Sequence, residues 1–327
     1  MAKTIDPQLE NLLSQAVTLK ASDLHLVAGE PPIFRVKGAL QRADQDPLTA
    51  EDIASMVQTV IESWESAHGL GSQMAIVEVP GVVEGRLCVT ISEGAPTASI
   101  RILPSNLPTP ASARVPAALL EAALAPQGLV VISGEAGSGK TTVAMILLEH
   151  VNTHLPARIH TIEEPVSFRL KAKQAVITQQ SVGVDVGGFL PAMKAVLRMD
   201  PDVIFVGELR DIQTLEACVA LAESGHLVIT QVHASDPPDA IQRMVDVHPE
   251  ELRPIFRRRL AAVLRAVSSQ KLLPLAGKPG RTAAYGVLVP DQEMRRAICE
   301  GLDPTERTSP LPPGCQTLSA DIAALRD

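Results

Sequence analysis

The sequence predicts an α/β protein in two parts, a larger domain on a mostly parallel sheet wrapped around a phosphate-binding loop, and a smaller α+β domain before it. Three observations predict this. First, Gly134-Glu135-Ala136-Gly137-Ser138-Gly139-Lys140-Thr141-Thr142 follows the apolar run 128–133 and precedes an apolar stretch at helical spacing, which is the strand–loop–helix context such a loop requires. Second, from residue 117 onward apolar β runs alternate with helical patterns, the order of a parallel sheet covered on both faces. Third, four prolines between Pro104 and Pro116 interrupt any regular element and mark a linker. The predicted layout is therefore a domain over 1–104, a linker over 105–116 and a second domain over 117–327.

Taken in order, Leu9, Leu12, Leu13, Ala16 and Val17 recur at helical spacing and predict a helix over 7–20. Short strands follow at 24–27 and 33–36, separated by Gly29-Glu30-Pro31-Pro32. Thr49-Ala50-Glu51-Asp52 is a capping box that opens a second helix, expected to run to about His68. Strands at 74–79 and 86–91 complete the first part. Beyond the linker the pattern predicts helix 117–124, strand 128–133, helix 141–153, strand 158–163, helix 187–198, strand 203–207, helix 212–223, strand 226–232 and helix 250–267. The tail from Pro310 is expected to be short and loosely ordered.

Composition narrows the function. The net charge is −8 and the aromatic residues are five Phe, one Trp and one Tyr, so the composition offers few stacking platforms and argues against a chain that tracks a nucleic-acid backbone. Cys88, Cys218, Cys299 and Cys315 contain no C-x-x-C pair and read as free thiols of a reducing compartment. No apolar run reaches the ~18 residues that span a bilayer, so no transmembrane segment is expected. Arg253, Arg257, Arg258, Arg259 and Arg265, assigned to the late helix, read as a solvated basic face or as a contact for a neighbouring subunit.

The chemistry follows from the loop. Its glycines let backbone N–H groups turn inward around a polyphosphate, Lys140 neutralises β/γ oxygens, and the Thr141 hydroxyl, at the start of the helix, is placed to ligate Mg²⁺. In open α/β sheets ligands sit at the carboxyl ends of strands, so polar residues ending successive apolar strands belong to one site. The strand 158–163 delivers Glu163 beside Glu164, either as the residue that polarises an attacking water or as one of two acids capping a strand. The strand 203–207 delivers Glu208, a Walker-B-like acid for the Mg²⁺ shell; the usual aspartate position is Gly207. The strand 226–232 delivers His233, the candidate γ-phosphate sensor. His226 stands about 23 Å away at the other end and reads as structural or interfacial.

These motifs together resemble the secretion-ATPase superfamily, and within it the PilT-type twitching-motility (pilus retraction) ATPases. The resemblance covers nearly the whole chain: Ala21-Ser22-Asp23-Leu24-His25-Leu26 and Pro31 to Gly38 of the N-terminal domain, the Walker A loop, the "Asp box" Thr161-Ile162-Glu163-Glu164-Pro165, the Walker B segment 200–211, the "His box" 225–233, Ile241 to Val247, and Ser269 to Leu273. It implies a RecA-like P-loop NTPase domain behind a PAS-like domain, ATP and Mg²⁺ as ligands, and a homo-hexameric ring at the inner face of the cytoplasmic membrane. The implied partners are an inner-membrane pilus platform protein and a paralogous ATPase. It implies Glu163 as the catalytic glutamate and Arg101 and Arg86 as arginines reaching a neighbour's nucleotide. The chain departs from the pattern at Cys88, where a second arginine is common two residues after Arg86. It departs again at Glu164, at Ser167, and at Glu293-Met294-Arg295-Arg296-Ala297-Ile298, which takes the place of the retraction signature Ala-Ile-Arg-Asn-Leu-Ile. The resemblance thus implies either a retraction motor with fewer trans arginines or a low-turnover accessory subunit coupled to an active paralogue.

Overall fold

A computed structural model describes residues 5–61, 72–103, 106–209, 211–275, 280–307 and 309–325. Contacts divide the chain into two units, Met1–Asn106 and Leu107–Asp327.

In the first unit α1 (Pro7–Thr18) is followed by β1 (Ala21–Val27), β2 (Ile33–Val36), β3 (Ala39–Arg42), α2 (Ala50–Gln58), β4 (Gln73–Val79), β5 (Val83–Ser92) and β6 (Ala95–Ile102). The strands form one antiparallel sheet in the order β3-β2-β1-β6-β5-β4. The helical stripe Leu9, Leu12, Leu13 and Ala16 is buried against Leu24, Leu26, Leu87 and Ile100 of the sheet. Thr49 and Asp52 make the reciprocal capping box, the Asp52 backbone N–H donating to the Thr49 hydroxyl at 3.1 Å and the Thr49 N–H to the Asp52 carboxylate at 2.8 Å. The predicted continuation of this helix toward His68 falls mostly on 62–71, outside the described residues.

The second unit contains α3 (Ala117–Ala122), β7 (Gly128–Gly134), α4 (Lys140–His154), β8 (Arg158–Glu163), β9 (Val176–Ser181), α5 (Phe189–Val196), β10 (Val203–Val206), α6 (Ile212–Glu223), β11 (Leu227–Val232), α7 (Pro237–Asp246), α8 (Arg253–Val263), β12 (Leu264–Pro274), β13 (Arg281–Leu288), α9 (Gln292–Glu300) and α10 (Leu318–Ala324). The sheet order is β13-β12-β7-β11-β10-β8-β9, parallel throughout except for the β12–β13 pair. Successive residues of β7 serve opposite cores: Leu129 and Val131 face one helical layer, Val130 and Ile132 the other. Both faces of the sheet are thus covered, which is why its central strands are apolar without alternation. This is the α/β, RecA-like arrangement the sequence predicts, beside a separate α+β unit.

Four expectations need correction. The late helix does not reach 267: α8 ends at Val263 and Arg265 lies on β12, whose residues 264–270 pair with β7. Leu260, Ala261, Val263, Leu264, Ala266 and Val267 are apolar at both helical and strand spacing, and the ladder with β7 decides between them. Arg295 of α9 fixes the boundary by donating to the carbonyls of Ala261 and Leu264 at the end of α8. The tail is ordered by a helix: Asp321 of α10 accepts the Tyr285 N–H at 2.8 Å and pairs with Arg114 at 3.3 Å. Of the stretch read as a linker, residues from Leu107 pack on the second unit, and Tyr285 donates its hydroxyl to the Ala113 carbonyl at 2.8 Å. The arginines of α8 are not one continuous free face, since Arg259 pairs with Glu216 at 2.6 Å and Glu223 at 2.9 Å on α6.

Candidate functional site

The site is assembled at the carboxyl ends of β7, β8, β10 and β11. The wholly buried β7 runs into the loop 134–139, and α4 begins at Lys140. Gly139 caps that helix with φ +91°, a left-handed conformation only glycine adopts without strain, so the chain turns sharply enough to aim the first turn of α4 into the cavity. Gln270, on β12, donates its amide to the Ser138 carbonyl at 2.7 Å and holds the loop from behind. Glu135, Ala136 and Gly137 are exposed on the loop, and Thr142 is exposed on α4. Ser138 is buried, its hydroxyl without a protein partner.

Lys140 folds back over the loop, its ammonium donating to the carbonyls of Gly134 at 2.8 Å and Glu135 at 2.9 Å. Burial pulls its pKa below the ordinary lysine value, and the charge of Glu208 opposes the shift. The His233 ring spans the gap between these two, Nε2 at 2.8 Å from Glu208 Oε1 and Nδ1 at 3.4 Å from Lys140 Nζ. An Nε2–H donated to Glu208 leaves the Nδ1 lone pair facing the ammonium. The Thr141 hydroxyl donates to Gln231 Oε1 at 3.3 Å.

Glu163 is the most deeply set acid, 2% exposed at the end of β8. Its Oε1 accepts from the Thr161 hydroxyl at 2.8 Å and the Gln179 amide at 3.3 Å, and its Oε2 from the Ser167 N–H at 3.1 Å. Burial pushes its pKa above the usual carboxylate range, and these three donors and the charge of Arg169 only partly oppose that. Lys140, Thr141, Glu163, Glu208, Gln231 and His233 line a single cavity of about 240 Å³. His226 is not among them: at the opposite end of β11 its Nδ1 lies 3.1 Å from the Leu221 carbonyl and 3.0 Å from the Ser224 hydroxyl, closing the turn after α6.

Arg101 and Arg86 belong to the first unit, directly opposite each other on β6 and β5. Arg101 donates to the buried Asp23 at 2.9 Å. Burial of Asp23 raises its pKa, but the Ser22 hydroxyl and Arg101 outweigh it and hold the carboxylate below its ordinary range. Arg86 is shifted down by burial and by the Arg101 charge. Cys88 faces Ser99 on the same pair of strands.

Sequence reasoning assigned no individual role to Thr161, Gln179, Gln231 or Gln270, although Thr161, Gln231 and Gln270 lie within the motifs it quotes. The signal for two of them was parity: Thr161 lies two residues before Glu163, and Gln231 two before His233, so each shares a strand face with a residue already singled out.

The donor set fits a nucleotide with Mg²⁺. Among the described residues no group of three His, Cys, Asp or Glu side chains could hold a metal by itself. One hydroxyl, Thr141, and one acid, Glu208, suit a magnesium that draws its other ligands from phosphate and water. Among the described residues no helix is long and apolar enough to cross a membrane.

Comparison with known proteins converges on one family. The model of the family described as "Type II/IV secretion system protein" matches residues 2–316. The chain is 32% identical over 295 residues to the type IV pilus retractation ATPase PilT of Pseudomonas aeruginosa, covering 89% of this chain and 85% of that one. It is 31% identical over 291 residues to a twitching motility protein of Neisseria gonorrhoeae, covering 86% and 78%. The crystal structure of the pilus retraction motor PilT with bound ADP superimposes with a TM-score of 0.84 at 35% identity, covering 89% of this chain and 85% of that one. With the family model matched over nearly the whole chain, the chain belongs to the Type II/IV secretion system protein family.

Proposed function

We propose that this chain is the Mg²⁺-dependent ATP-hydrolysing subunit of a homo-hexameric ring that drives retraction and disassembly of a type IV pilus, working on an inner-membrane platform protein from the cytoplasmic face. The observation that carries the reading is the convergence of Lys140, Thr141, Glu163, Glu208 and His233 on one cavity, in a chain similar to PilT. Lys140 binds the β/γ phosphates. Thr141 and Glu208 would hold a magnesium, which would supply neutralisation of the charge developing on the transferred phosphoryl group. Glu163 orients the attacking water and accepts its proton. A carboxylate whose pKa is raised by burial is a stronger base than an ordinary glutamate, and Thr161, Ser167 and Gln179 fix where it points. His233 links Glu208 to Lys140, so displacement of Lys140 toward a phosphate is felt at Glu208.

Arg101 completes a neighbouring subunit's site in this reading, with Arg86 beside it. The Arg101–Asp23 pair is more than half exposed on the arginine side, so it contributes at most ~1 kcal/mol to stability, and Arg101→Ala folds normally. That substitution leaves nucleotide affinity unchanged and lowers turnover. In mixed rings the variant subunits depress wild-type activity more than in proportion to their fraction. Measured phosphate release that falls only in proportion excludes a trans role for Arg101. A second reading, a low-turnover accessory subunit coupled to a paralogous ATPase, is favoured by Cys88 at the position where a further arginine would flank Arg86.

A further inference from the structure

We propose that Gln231 is a positioning residue for the metal-ligating hydroxyl of Thr141. The inference rests on the nucleotide-hydrolysing reading of the cavity. A threonine hydroxyl has one hydrogen and two lone pairs, and it offers a lone pair to a cation reproducibly only when its hydrogen is committed elsewhere. Here the hydrogen goes to Gln231 Oε1 at 3.3 Å. Gln231 is 4% exposed and shares its strand face with His233, so its amide is held at the cavity wall.

At the neighbouring strand end Gly207 leaves a side chain little room. Gly207 donates its N–H to the Ile162 carbonyl at 2.8 Å, and a Cβ placed on it would lie 3.3 Å from Glu163 Cα and 3.4 Å from the Ile162 oxygen. A carboxylate at this position would press on the backbone that aims Glu163. The acceptor therefore comes from the adjacent strand, and the two are tied together, because the Leu209 N–H, one residue beyond Glu208, donates to the Gln231 carbonyl at 3.1 Å. A neutral amide also orients the hydroxyl without adding a negative charge to a cavity that already holds Glu163 and Glu208 and must accept a polyphosphate.

The test is titration of the full-length protein with a fluorescent ADP analogue, in Mg²⁺ and in EDTA. Gln231→Met, close in volume but without an acceptor, binds like wild type in EDTA and loses about tenfold of the affinity that magnesium adds, within the 10–100-fold typical of losing a residue that orients a metal ligand. Gln231→Asn, whose amide stops one methylene short, carries the same expectation and serves if the methionine variant does not fold. Gln231→Glu, which keeps an acceptor, restores the magnesium increment, a rescue that a merely structural role for the side chain would not show. Variants that keep the whole increment overturn the role of Gln231 alone. Wild-type protein that binds the analogue in neither condition overturns the functional reading, and this inference with it.

Discussion

Lys140→Ala abolishes useful nucleotide binding. Lys140 is 9% exposed, its pKa is lowered by burial, and its ammonium rests on the carbonyls of Gly134 and Glu135. Those two contacts are weak neutral acceptors for a desolvated cation, so the lysine gains most when a phosphate oxygen replaces them, and charge-assisted bonds of this kind are about twice as strong as neutral ones. Removing one partner of such a buried charge pair costs about 2–5 kcal/mol, or roughly 30-fold to several thousand-fold in the dissociation constant. Alanine also vacates the gap between the loop carbonyls and His233, which loses its neighbour at 3.4 Å. Equilibrium titration with a labelled ATP analogue measures the effect, and an unchanged dissociation constant contradicts the assignment of the loop.

Glu163→Gln separates binding from chemistry. The amide fills the same space beneath Thr161 and Gln179 but accepts no proton, so ATP stays bound while steady-state phosphate release falls by about 10²-fold or more. The pH dependence carries a second signature. Because burial raises the pKa of Glu163, its ionised, basic form is lost at a higher pH than for an ordinary carboxylate, and the acid limb of the wild-type rate profile lies correspondingly high. The linkage to stability runs the other way. A folded-state pKa above the unfolded value contributes stability below the unfolded pKa, and that contribution is lost as pH rises through the raised value. Wild-type protein at neutral pH therefore bears the cost of a buried charge that Glu163→Gln does not. The Tm difference between the two moves in favour of the variant as pH climbs from the ordinary carboxylate range to neutral. Equal turnover in the two proteins would reduce Glu163 to a strand cap.

How far the sequence led depended on whether each element carried its own signal. The phosphate loop, β8, β10 and β11 were legible because each is a buried apolar run ending in a polar residue, and α6 was legible from 212 to 223 because Asp211 caps it. β6 was missed because two of its three buried residues are Pro96 and Ala98, which carry little of a strand's apolar alternation. β9 was missed because it is a polar edge strand, Val176 to Ser181, that joins the sheet through its ladder with β8. α7 was missed although Asp236 as N-cap and Pro237 at the first position signal its start, and β13 becomes visible only once β12 is known to be a strand rather than the end of α8. In the site, the acids and histidine stood out by residue type. Gln231 and Gln270 did not, since a glutamine acquires a role only from what lies within reach of its amide, and that is set by strand pairing.

In the proposed function this cavity hydrolyses ATP within a ring of identical subunits. Phosphate release by the wild-type protein in Mg²⁺ and ATP, followed as a function of protein concentration, tests it most directly. Specific activity is expected to rise with concentration as rings form and to disappear on chelation of magnesium. Bound nucleotide with no phosphate release at any concentration would contradict it.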